Sequence, residues 1–224
     1  MPLNNFLSLR VACDGESSSG KSTAAKLISK KYKLFCMNSG LLFRYASLLV
    51  INNKPKKIIP FLKKKFKNLS YKKISNLSLH SQIISDHVAI LAKQKKVRQI
   101  VRIFQKRIIR KHHKICCEGR DQASAILRKN PRYDVAFFFK CNLEVASLRR
   151  WRDLKKKIPL KEVKRSLRTR TQLDKKRRHN PLKKMSDAVL IRTDILGKKA
   201  MVAKMSKEID KKLMLKYGRN FKAR

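Results

Sequence analysis

A glycine-containing loop between an apolar segment and a helical pattern constrains the fold of this chain more than any other feature. Residues Gly15–Ser22 read Gly-Glu-Ser-Ser-Ser-Gly-Lys-Ser and match the P-loop pattern G-x-x-x-x-G-K-S/T in full. Residues 7–13 are mostly apolar, as in a buried strand, and residues 23–32 have a helical pattern. Because a P-loop requires a strand before it and a helix after it, this order predicts an α/β fold of the P-loop type.

The loop also predicts the binding of a nucleoside triphosphate. Its glycines let the backbone approach phosphate oxygens, and successive N–H groups, with the N-terminus of the following helix, point at negative charge. We expect Lys21 to reach the β- and γ-phosphates as a catalytic residue, and Ser22 to offer its hydroxyl to Mg²⁺. A chance match in a serine-rich surface turn would not need the flanking strand and helix. The candidate ATP-binding residues are Gly15, Glu16, Ser17, Ser18, Ser19, Gly20, Lys21, Ser22 and Thr23.

Strand-like and helical segments alternate along most of the chain. Further strands are predicted at 34–37, 115–118, 135–139 and 189–191, and further helices at 41–50, 97–109, 143–156 and 198–216. This alternation predicts a three-layer fold with a parallel sheet core, as one domain over residues 1–224. The lysine-rich segment 52–96 interrupts the pattern and is interpreted as an insertion. The basic segment 155–184 is interpreted as a lid over the active face.

Basic residues far outnumber acidic ones. The chain has 59 Lys and Arg against 14 Asp and Glu, which gives a net charge of +45. This charge favours polyanionic ligands such as nucleotides and predicts nonspecific contact with RNA at low salt. Because basic residues run through every segment, without clustering or interleaved aromatic residues, we expect no specific nucleic-acid partner.

The cysteine pattern and the lack of long apolar runs indicate the compartment. The five cysteines are an odd number without a C-x-x-C pair, so neither a zinc site nor a disulfide framework is predicted. Residues 1–5 lack the charged leader of a secretory signal. No apolar run approaches the roughly 20 residues that a membrane helix needs. We therefore expect a cytoplasmic protein without a membrane partner.

Three further segments carry residues suited to a second phosphate-bearing ligand. Ser39 and Arg44 follow the predicted second strand, where α/β proteins bind ligands. The turn at 119–121 reads Gly-Arg-Asp and follows the next strand, and the basic segment contains the pattern R-x-x-x-D-x-x-R at 170–177. Taken alone, Ser39 is equally well explained as a helix N-cap and Arg44 as a surface arginine.

Taken together, these motifs resemble bacterial cytidylate kinases. The family has a D-G-x-S-x-S-G-K loop, a D-S/T-G-x-x-Y-R segment, a G-R-D turn and an arginine-rich lid ending near A-P-L. This chain matches the motifs in order and at similar spacing over nearly its whole length. The residues that carry the resemblance are Asp14-Gly15, Ser39-Gly40, Arg44, Gly119-Arg120-Asp121, Arg170, Asp174, Arg177 and Pro181-Leu182.

The resemblance implies phosphoryl transfer from ATP to CMP or dCMP, giving ADP and CDP or dCDP. It implies that Arg170 and Arg177 close over the transferring group and that Asp174 orients one of them. Arg149-Arg150 resembles the family's pair on the ATP side. The residues implied to bind the monophosphate nucleotide are Ser39, Arg44, Arg98, Arg120 and Asp121. We expect these small molecules to be the partners of a monomer.

Four departures from the family pattern lie in the acceptor and lid segments. Asn38 stands where the family has Asp, and Phe43 where it has Tyr. By its spacing from Arg98, Ala89 stands where a serine often contacts cytosine. The lid retains only the Arg and the later Asp of its E-R-D-x-R-D pattern, in residues 169–174.

Two other functions remain open at this point. One is a kinase for another small acceptor, such as UMP, AMP or shikimate. The other is a basic RNA-associated protein that binds a nucleotide. A GTPase is disfavoured, because residues 53–56 read Asn-Lys-Pro-Lys and lack the acid with which N-K-x-D binds guanine.

Overall fold

The computed structural model describes residues 7–218. The strands in this range are β1 (Leu9–Gly15), β2 (Phe35–Asn38), β3 (Lys114–Gly119), β4 (Val135–Lys140) and β5 (Val189–Arg192). The helices are α1 (Lys21–Tyr32), α2 (Ser39–Asn53), α3 (Ile58–Lys67), α4 (Tyr71–Ser75), α5 (Gln82–Leu91), α6 (Lys95–Lys111), α7 (Leu143–Asp153), α8 (Leu160–Lys176) and α9 (Lys198–Tyr217). A π-helical turn at Gln122–Ile126 follows β3.

The strands form one sheet in the order β2-β3-β1-β4-β5. The central strand β1 pairs in parallel with β3, where Asp14 lies opposite Gly119, and with β4, where Gly15 lies opposite Phe139. The chain adds β2 and β3 on one side of β1, and β4 and β5 on the other. The carboxyl end of β1 therefore lies at the switch point where open α/β sheets bind ligands. The predicted parallel α/β core is confirmed.

Strands buried on both faces form the centre of the core, as expected for a parallel sheet. The first five residues of β4, Val-Ala-Phe-Phe-Phe, are all buried. Helix α1 packs Ala24, Ala25 and Ile28 into the same apolar cluster, and α9 adds a stripe that runs from Met201 to Leu213. Each buried Ile, Leu or Met side chain contributes about 1.5–3 kcal/mol. This cluster stabilises the strands and helix that present the P-loop.

Several helix boundaries differ from the sequence-based prediction, and for α7 and α2 the local reasons are clear. Helix α7 ends at Asp153, because Lys155 and Lys156 have φ angles of 53° and 59°, which a right-handed helix does not contain. Helix α2 begins at Ser39 because the Asn38 Oδ1 accepts a hydrogen bond of 3.2 Å from the Leu41 N–H. Asparagine is among the best N-cap residues.

The described chain divides into two compact units. The first contains the residues up to Met37 and from His112 onward, and the second contains Asn38–Lys111. The first unit holds the P-loop, and α8 of this unit lies within the predicted lid segment.

The second unit is helical and includes the segment interpreted as an insertion. Its aromatic core places Phe66 between Tyr45 and Phe104, with ring centroids 6.1 and 5.7 Å apart. The segment 52–96 contains α3, α4 and α5. Pro60, which reads as a break in the sequence, lies in the first turn of α3, where a backbone N–H is not needed.

The structure adds two observations on membrane-spanning helices and on the cysteines. Within residues 7–218, no helix combines the length and the apolar character that crossing a membrane demands. The five cysteines are free thiols, and four of them are buried. Residues 1–5, whose sequence lacks a secretory leader pattern, lie outside the described range.

Candidate active site

The P-loop joins β1 to α1 in a conformation that suits anion binding. Ser18 and Gly20 have left-handed φ angles of 54° and 75°, and successive N–H groups in such turns form an anion-binding concavity. Glycine tolerates the conformation at position 20 without strain. Helix α1 begins directly after Gly20, which provides no side-chain cap for the first N–H groups. The positive end of the helix therefore favours a phosphate at this place.

Close packing against neighbouring strands holds the loop in place. A Cβ atom on Gly15 would lie 2.7 Å from the Cβ and 2.9 Å from the Cα of Phe139, so only glycine fits at the end of β1. The Thr193 Oγ1, just after β5, donates a hydrogen bond of 3.0 Å to the Ser19 carbonyl. Thr193 also accepts hydrogen bonds from the Arg149 guanidinium at its hydroxyl and carbonyl, at 3.1 and 2.8 Å. Thr193 belongs to no sequence motif, and only the structure shows that it supports the loop.

Lys21 lies inside the loop with its charge largely removed from solvent. Its side-chain Nζ donates a hydrogen bond of 2.9 Å to the Glu16 carbonyl, and the residue is 5% exposed. Burial, followed by the positive charge of Arg120, lowers the pKa of Lys21 to about 7, against the opposing effect of Glu118. Because this buried ammonium lacks a negatively charged partner at hydrogen-bond distance among the described residues, the phosphates of a bound nucleotide would strongly stabilise its charged form.

Nucleotide binding is therefore expected to take up protons above pH 7. Bound phosphates raise the pKa of Lys21 from about 7, so they bind its protonated form best, and affinity falls as the pH rises above 7. Titration calorimetry of ATP at pH 8, in two buffers of different ionisation enthalpy, should show uptake of about one proton. The Lys21→Ala variant should lose this uptake. Equal proton uptake in the variant and the wild type would contradict the assignment.

Arg120 connects the P-loop, the turn after β3 and helix α8. Its Nη2 donates to the Ser17 hydroxyl at 2.9 Å, and its Nε donates to Asp174 Oδ2 at the same distance. Its Nη1 donates to the Gly119 carbonyl at 3.3 Å. The structure thus brings three separately predicted motifs of the first unit to one place.

Asp174 is surrounded by arginines. Burial acts to raise the pKa of its carboxyl, but the charges of Arg120, Arg170 and Arg177 outweigh burial and hold the pKa below its ordinary value. Arg177 donates to Asp174 Oδ1 at 3.3 Å and lies 3.7 Å from Asp121 Oδ2. Asp174 therefore stays ionised and orients two guanidiniums, Arg120 and Arg177.

A second ion pair joins the P-loop to the end of helix α8. The Lys175 Nζ lies 2.7 Å from Glu16 Oε1. Lys175 was not identified from the sequence, because one lysine in a chain with 59 basic residues gives no signal. Thr23, the last of the candidate ATP-binding residues, is exposed on the first turn of α1.

Two buried carboxylates lie at the ends of β1 and β3. Asp14 accepts hydrogen bonds of 2.8 Å from the Gln122 and Ala123 N–H groups, one at each oxygen. Burial raises its pKa to about 7, although these two donors act to lower it. Glu118 is 4% exposed, and its Oε2 is buried without a hydrogen-bond partner. A buried, unpaired carboxylate oxygen is costly unless it binds a further group.

The second unit holds the other candidate acceptor residues, all buried. The Ser39 hydroxyl accepts a hydrogen bond of 2.6 Å from the Gln105 amide. The Arg44 Nη1 donates to the Leu79 carbonyl at 3.0 Å and to the Ser85 hydroxyl at 2.9 Å. The alternative interpretations do not hold, because the N-cap of α2 is Asn38 rather than Ser39 and because Arg44 is buried.

Arg98 lies in the same unit on α6. Its guanidinium carbon is 5.5 Å from the centre of the Phe43 ring, and its Nη1 donates to the Ala92 carbonyl at 3.4 Å. Phe43, one of the departures from the family pattern, thus stacks on a predicted acceptor residue. Ala89, another departure, lies on α5 one turn after Ser85, and its side chain adds no hydrogen-bonding group there.

Comparison with known proteins gives the family. The family model described as cytidylate kinase matches residues 11–211. A cytidylate kinase of Mesomycoplasma hyopneumoniae (strain 7448) is 29% identical, with 93% of this chain and 96% of that protein covered. A cytidylate kinase of Clostridium botulinum (strain Okra / Type B1) is also 29% identical, with 92% of this chain and 100% of that protein covered.

Solved structures share the fold at lower sequence identity. An uncharacterized protein from Eubacterium ventriosum has a TM-score of 0.53 at 13% identity, with 90% of this chain and 98% of that chain covered. A protein from Thermus thermophilus has a TM-score of 0.51 at 15% identity, with 92% and 98% covered. These similarities concern the fold alone. The match of the family model over most of the chain, together with the P-loop, the Gly-Arg-Asp turn, Arg170 and Arg177, shows that the chain belongs to the cytidylate kinase family, and so is a nucleoside monophosphate kinase.

Proposed function

We propose that this protein transfers the terminal phosphoryl group of ATP to CMP and dCMP. Phosphoryl transfer rests above all on Arg120, which contacts both Ser17 of the P-loop and Asp174 of α8. The choice of a cytidine nucleotide rests on the family model and on relatives named cytidylate kinase. The phosphate-binding motifs alone would equally suit another monophosphate acceptor.

The charges of the first unit suit a dissociative phosphoryl transfer. The transition state resembles metaphosphate and spreads negative charge over three oxygens, so positioned cations contribute more than a strong base. Lys21 and Arg120 lie beside the loop that would hold the triphosphate, and Arg170 acts electrostatically on Lys21. Arginine suits this work because its planar fork contacts phosphate at two points.

The proposed roles of the remaining residues follow from their surroundings. In the first unit, we assign Arg120 and Asp121 to the acceptor, and Arg170 and Arg177 to the transferring group. Closure of the lid would expel water, which limits hydrolysis of ATP. In the second unit, the candidates for binding the acceptor are Ser39, Arg44 and Arg98, which the helices hold in defined positions.

Magnesium is the metal that a P-loop kinase uses to neutralise the β- and γ-phosphates. Among residues 7–218, no three His, Cys, Asp or Glu side chains are grouped to hold a metal ion. A P-loop site does not need such a group, because Mg²⁺ keeps several waters and binds one or two protein oxygens plus phosphates. The Ser22 hydroxyl and the unpaired Glu118 Oε2 fit this donor set. Both oxygens of Asp14 already accept hydrogen bonds from the N–H groups of Gln122 and Ala123, which leaves fewer lone pairs for a metal ion than Glu118 Oε2 has.

Glu118→Gln is expected to raise the Mg²⁺ concentration for half-maximal activity about tenfold, as loss of a supporting ligand typically does. Calorimetric binding of the ATP analogue AMP-PNP, titrated at several Mg²⁺ concentrations, should show the same shift without turnover. The control is Glu162→Gln on the exposed first turn of α8. An unchanged Mg²⁺ dependence in the Glu118 variant would remove this residue from the metal site.

An acceptor screen tests the proposed function. ADP release is measured with ATP, Mg²⁺ and one acceptor at a time: CMP, dCMP, UMP, AMP or shikimate. We expect the highest kcat/KM with CMP or dCMP. A clear preference for another acceptor would contradict the cytidine assignment. Absence of turnover with every acceptor, together with RNA binding that persists at physiological salt, would favour the RNA-associated function instead.

A further inference from the structure

Asp14 occupies an unusual position for a carboxylate. It lies on β1 directly before the P-loop, 2% exposed, and pairs with Gly119 of β3. Its Oδ1 accepts the Gln122 N–H and its Oδ2 accepts the Ala123 N–H, both at 2.8 Å. The Asp14 side chain, directly before the P-loop, therefore holds the backbone of the turn that follows Arg120 and Asp121.

These two hydrogen bonds perform the task of a helix cap. Gln122 and Ala123 are the first residues of the π-helical turn Gln122–Ile126, and the first N–H groups of a helix lack partners within it. The residue at the N-cap position is Asp121, a residue type that commonly caps its own helix, yet its side chain makes no capping hydrogen bond. Asp14, 108 positions before Gln122, supplies the carboxylate instead.

Because Asp14 caps the turn, the Asp121 carboxylate can make other contacts. Its carboxylate faces the guanidinium of Arg177, at 3.7 Å, rather than the N–H groups of its own turn. The preceding residue, Arg120, contacts Ser17 and Asp174. Arg120 and Asp121, which we assign to the acceptor, thus directly precede a turn whose backbone is held by Asp14.

We propose that Asp14 is a positioning residue, which caps the π-helical turn in place of Asp121 and thereby holds Arg120 and Asp121 in register with the P-loop. This role rests on the proposed function in one respect, since it takes these two residues to bind the acceptor nucleotide. Burial makes the Asp14 carboxylate costly to ionise and raises its pKa, although the two N–H donors act to lower it. The need to hold the turn after Arg120 and Asp121 explains why a carboxylate occupies this buried position.

Asp14→Asn is the most informative variant, because it preserves the size of the side chain. Its amide oxygen accepts one N–H, while its NH₂ group opposes the other. At pH 8, where the wild-type carboxylate is ionised, we expect the acceptor KM to rise about tenfold or more, as loss of a supporting contact commonly costs. Affinity for AMP-PNP, which we assign mainly to the P-loop backbone and Lys21, should change less than the acceptor KM and stay within about twofold in calorimetry.

Amide hydrogen exchange reports on the cap itself. In the wild type, the amide protons of Gln122 and Ala123 should be protected, and their chemical shifts should change with pH as Asp14 titrates. In Asp14→Asn, one of the two should exchange at least about tenfold faster, since it has lost its acceptor. The wild-type measurement decides the capping even if the variant folds poorly.

Asp134→Asn is the matched control. Asp134 is also a carboxylate of the first unit that accepts a backbone N–H from a neighbouring strand, in this case that of Arg10 at 2.7 Å. It directly precedes β4 and so lies at the amino end of the parallel strands, whereas the P-loop lies at their carboxyl end. We expect this variant to leave the acceptor KM unchanged, so that a rise in KM is specific to Asp14.

The outcomes separate the two proposals. If the wild type phosphorylates CMP and Asp14→Asn does so with an unchanged acceptor KM, the positioning role is wrong. Fast exchange of both amides in the wild type would also overturn it. If the wild type phosphorylates none of the acceptors, the proposed function fails, while amide exchange still determines whether Asp14 caps the turn.

Discussion

Lys21→Ala is expected to abolish phosphoryl transfer, with kcat falling about 10³-fold or more, while the fold stays intact. Lys21 is the cation that the loop presents to the β- and γ-phosphates, and removal of one preorganised donor at a developing charge costs about this much. Its ammonium is buried and repelled by Arg120 and Arg170, so its loss removes an unfavourable charge from the folded state. The thermal midpoint should not fall by more than about 2 °C.

The control for this variant is Lys26→Ala. Lys26 lies on the same helix but is exposed, so its replacement makes the same lysine-to-alanine change without touching the loop. We expect it to keep its activity within about twofold. ADP release with saturating CMP measures kcat, and scanning calorimetry measures the midpoint. A Lys21→Ala protein with full activity would refute the P-loop assignment.

Arg170→Ala is expected to lower kcat about 10³-fold, in the range found for arginines that neutralise a transferring phosphoryl group. Arg170 lies on α8 and acts electrostatically on both Lys21 and Asp174, so its charge is directed toward the loop. If it acts chiefly in the transition state, kcat and kcat/KM fall together and the KM for ATP changes little. Arg170→Lys should recover only part of the rate, because an ammonium lacks the planar fork.

Arg168→Ala tests whether the effect of Arg170 depends on its position or only on the positive charge of the helix. Arg168 lies two residues earlier on the same helix and is exposed. Its removal should leave kcat within about twofold, since an exposed charge is screened by solvent. Equal losses in the two variants would mean that the helix contributes only its overall basic charge, and would contradict a specific role for Arg170.

Some features of this protein were predictable because they depend on neighbouring residues. The strand before Gly15, the loop and the helix after it form a contiguous segment whose backbone conformation is largely local. The strands β3 and β4 were predictable because residues buried on both faces of a parallel sheet form continuous apolar runs. The edge strand β5 buries only Ile191, but its short apolar run was still visible in the sequence. The helices of segment 52–96 were less evident, because their lysines obscure short apolar stripes, as in α3.

Other features depend on which strands are neighbours, and no periodicity in the sequence specifies that. The contact of Arg120 with Ser17 joins residues 103 positions apart, and it requires β1 to lie beside β3. The support of Ser19 by Thr193 requires the end of β5 to approach the loop across 174 positions. The ion pair of Glu16 and Lys175 could not be inferred from a chain in which basic residues occur everywhere.

The sequence by itself determined that this chain builds a phosphate-binding loop between a strand and a helix, because the residue types of the loop and their backbone requirements are adjacent in the chain. Only the tertiary structure decided how buried charges are used around that loop. It left the Glu118 Oε2 without a partner, directed Arg120 to Ser17, and assigned Asp14 to cap a distant turn. The physical reason is that hydrogen bonding and desolvation depend on the groups a side chain meets, and strand order determines those groups.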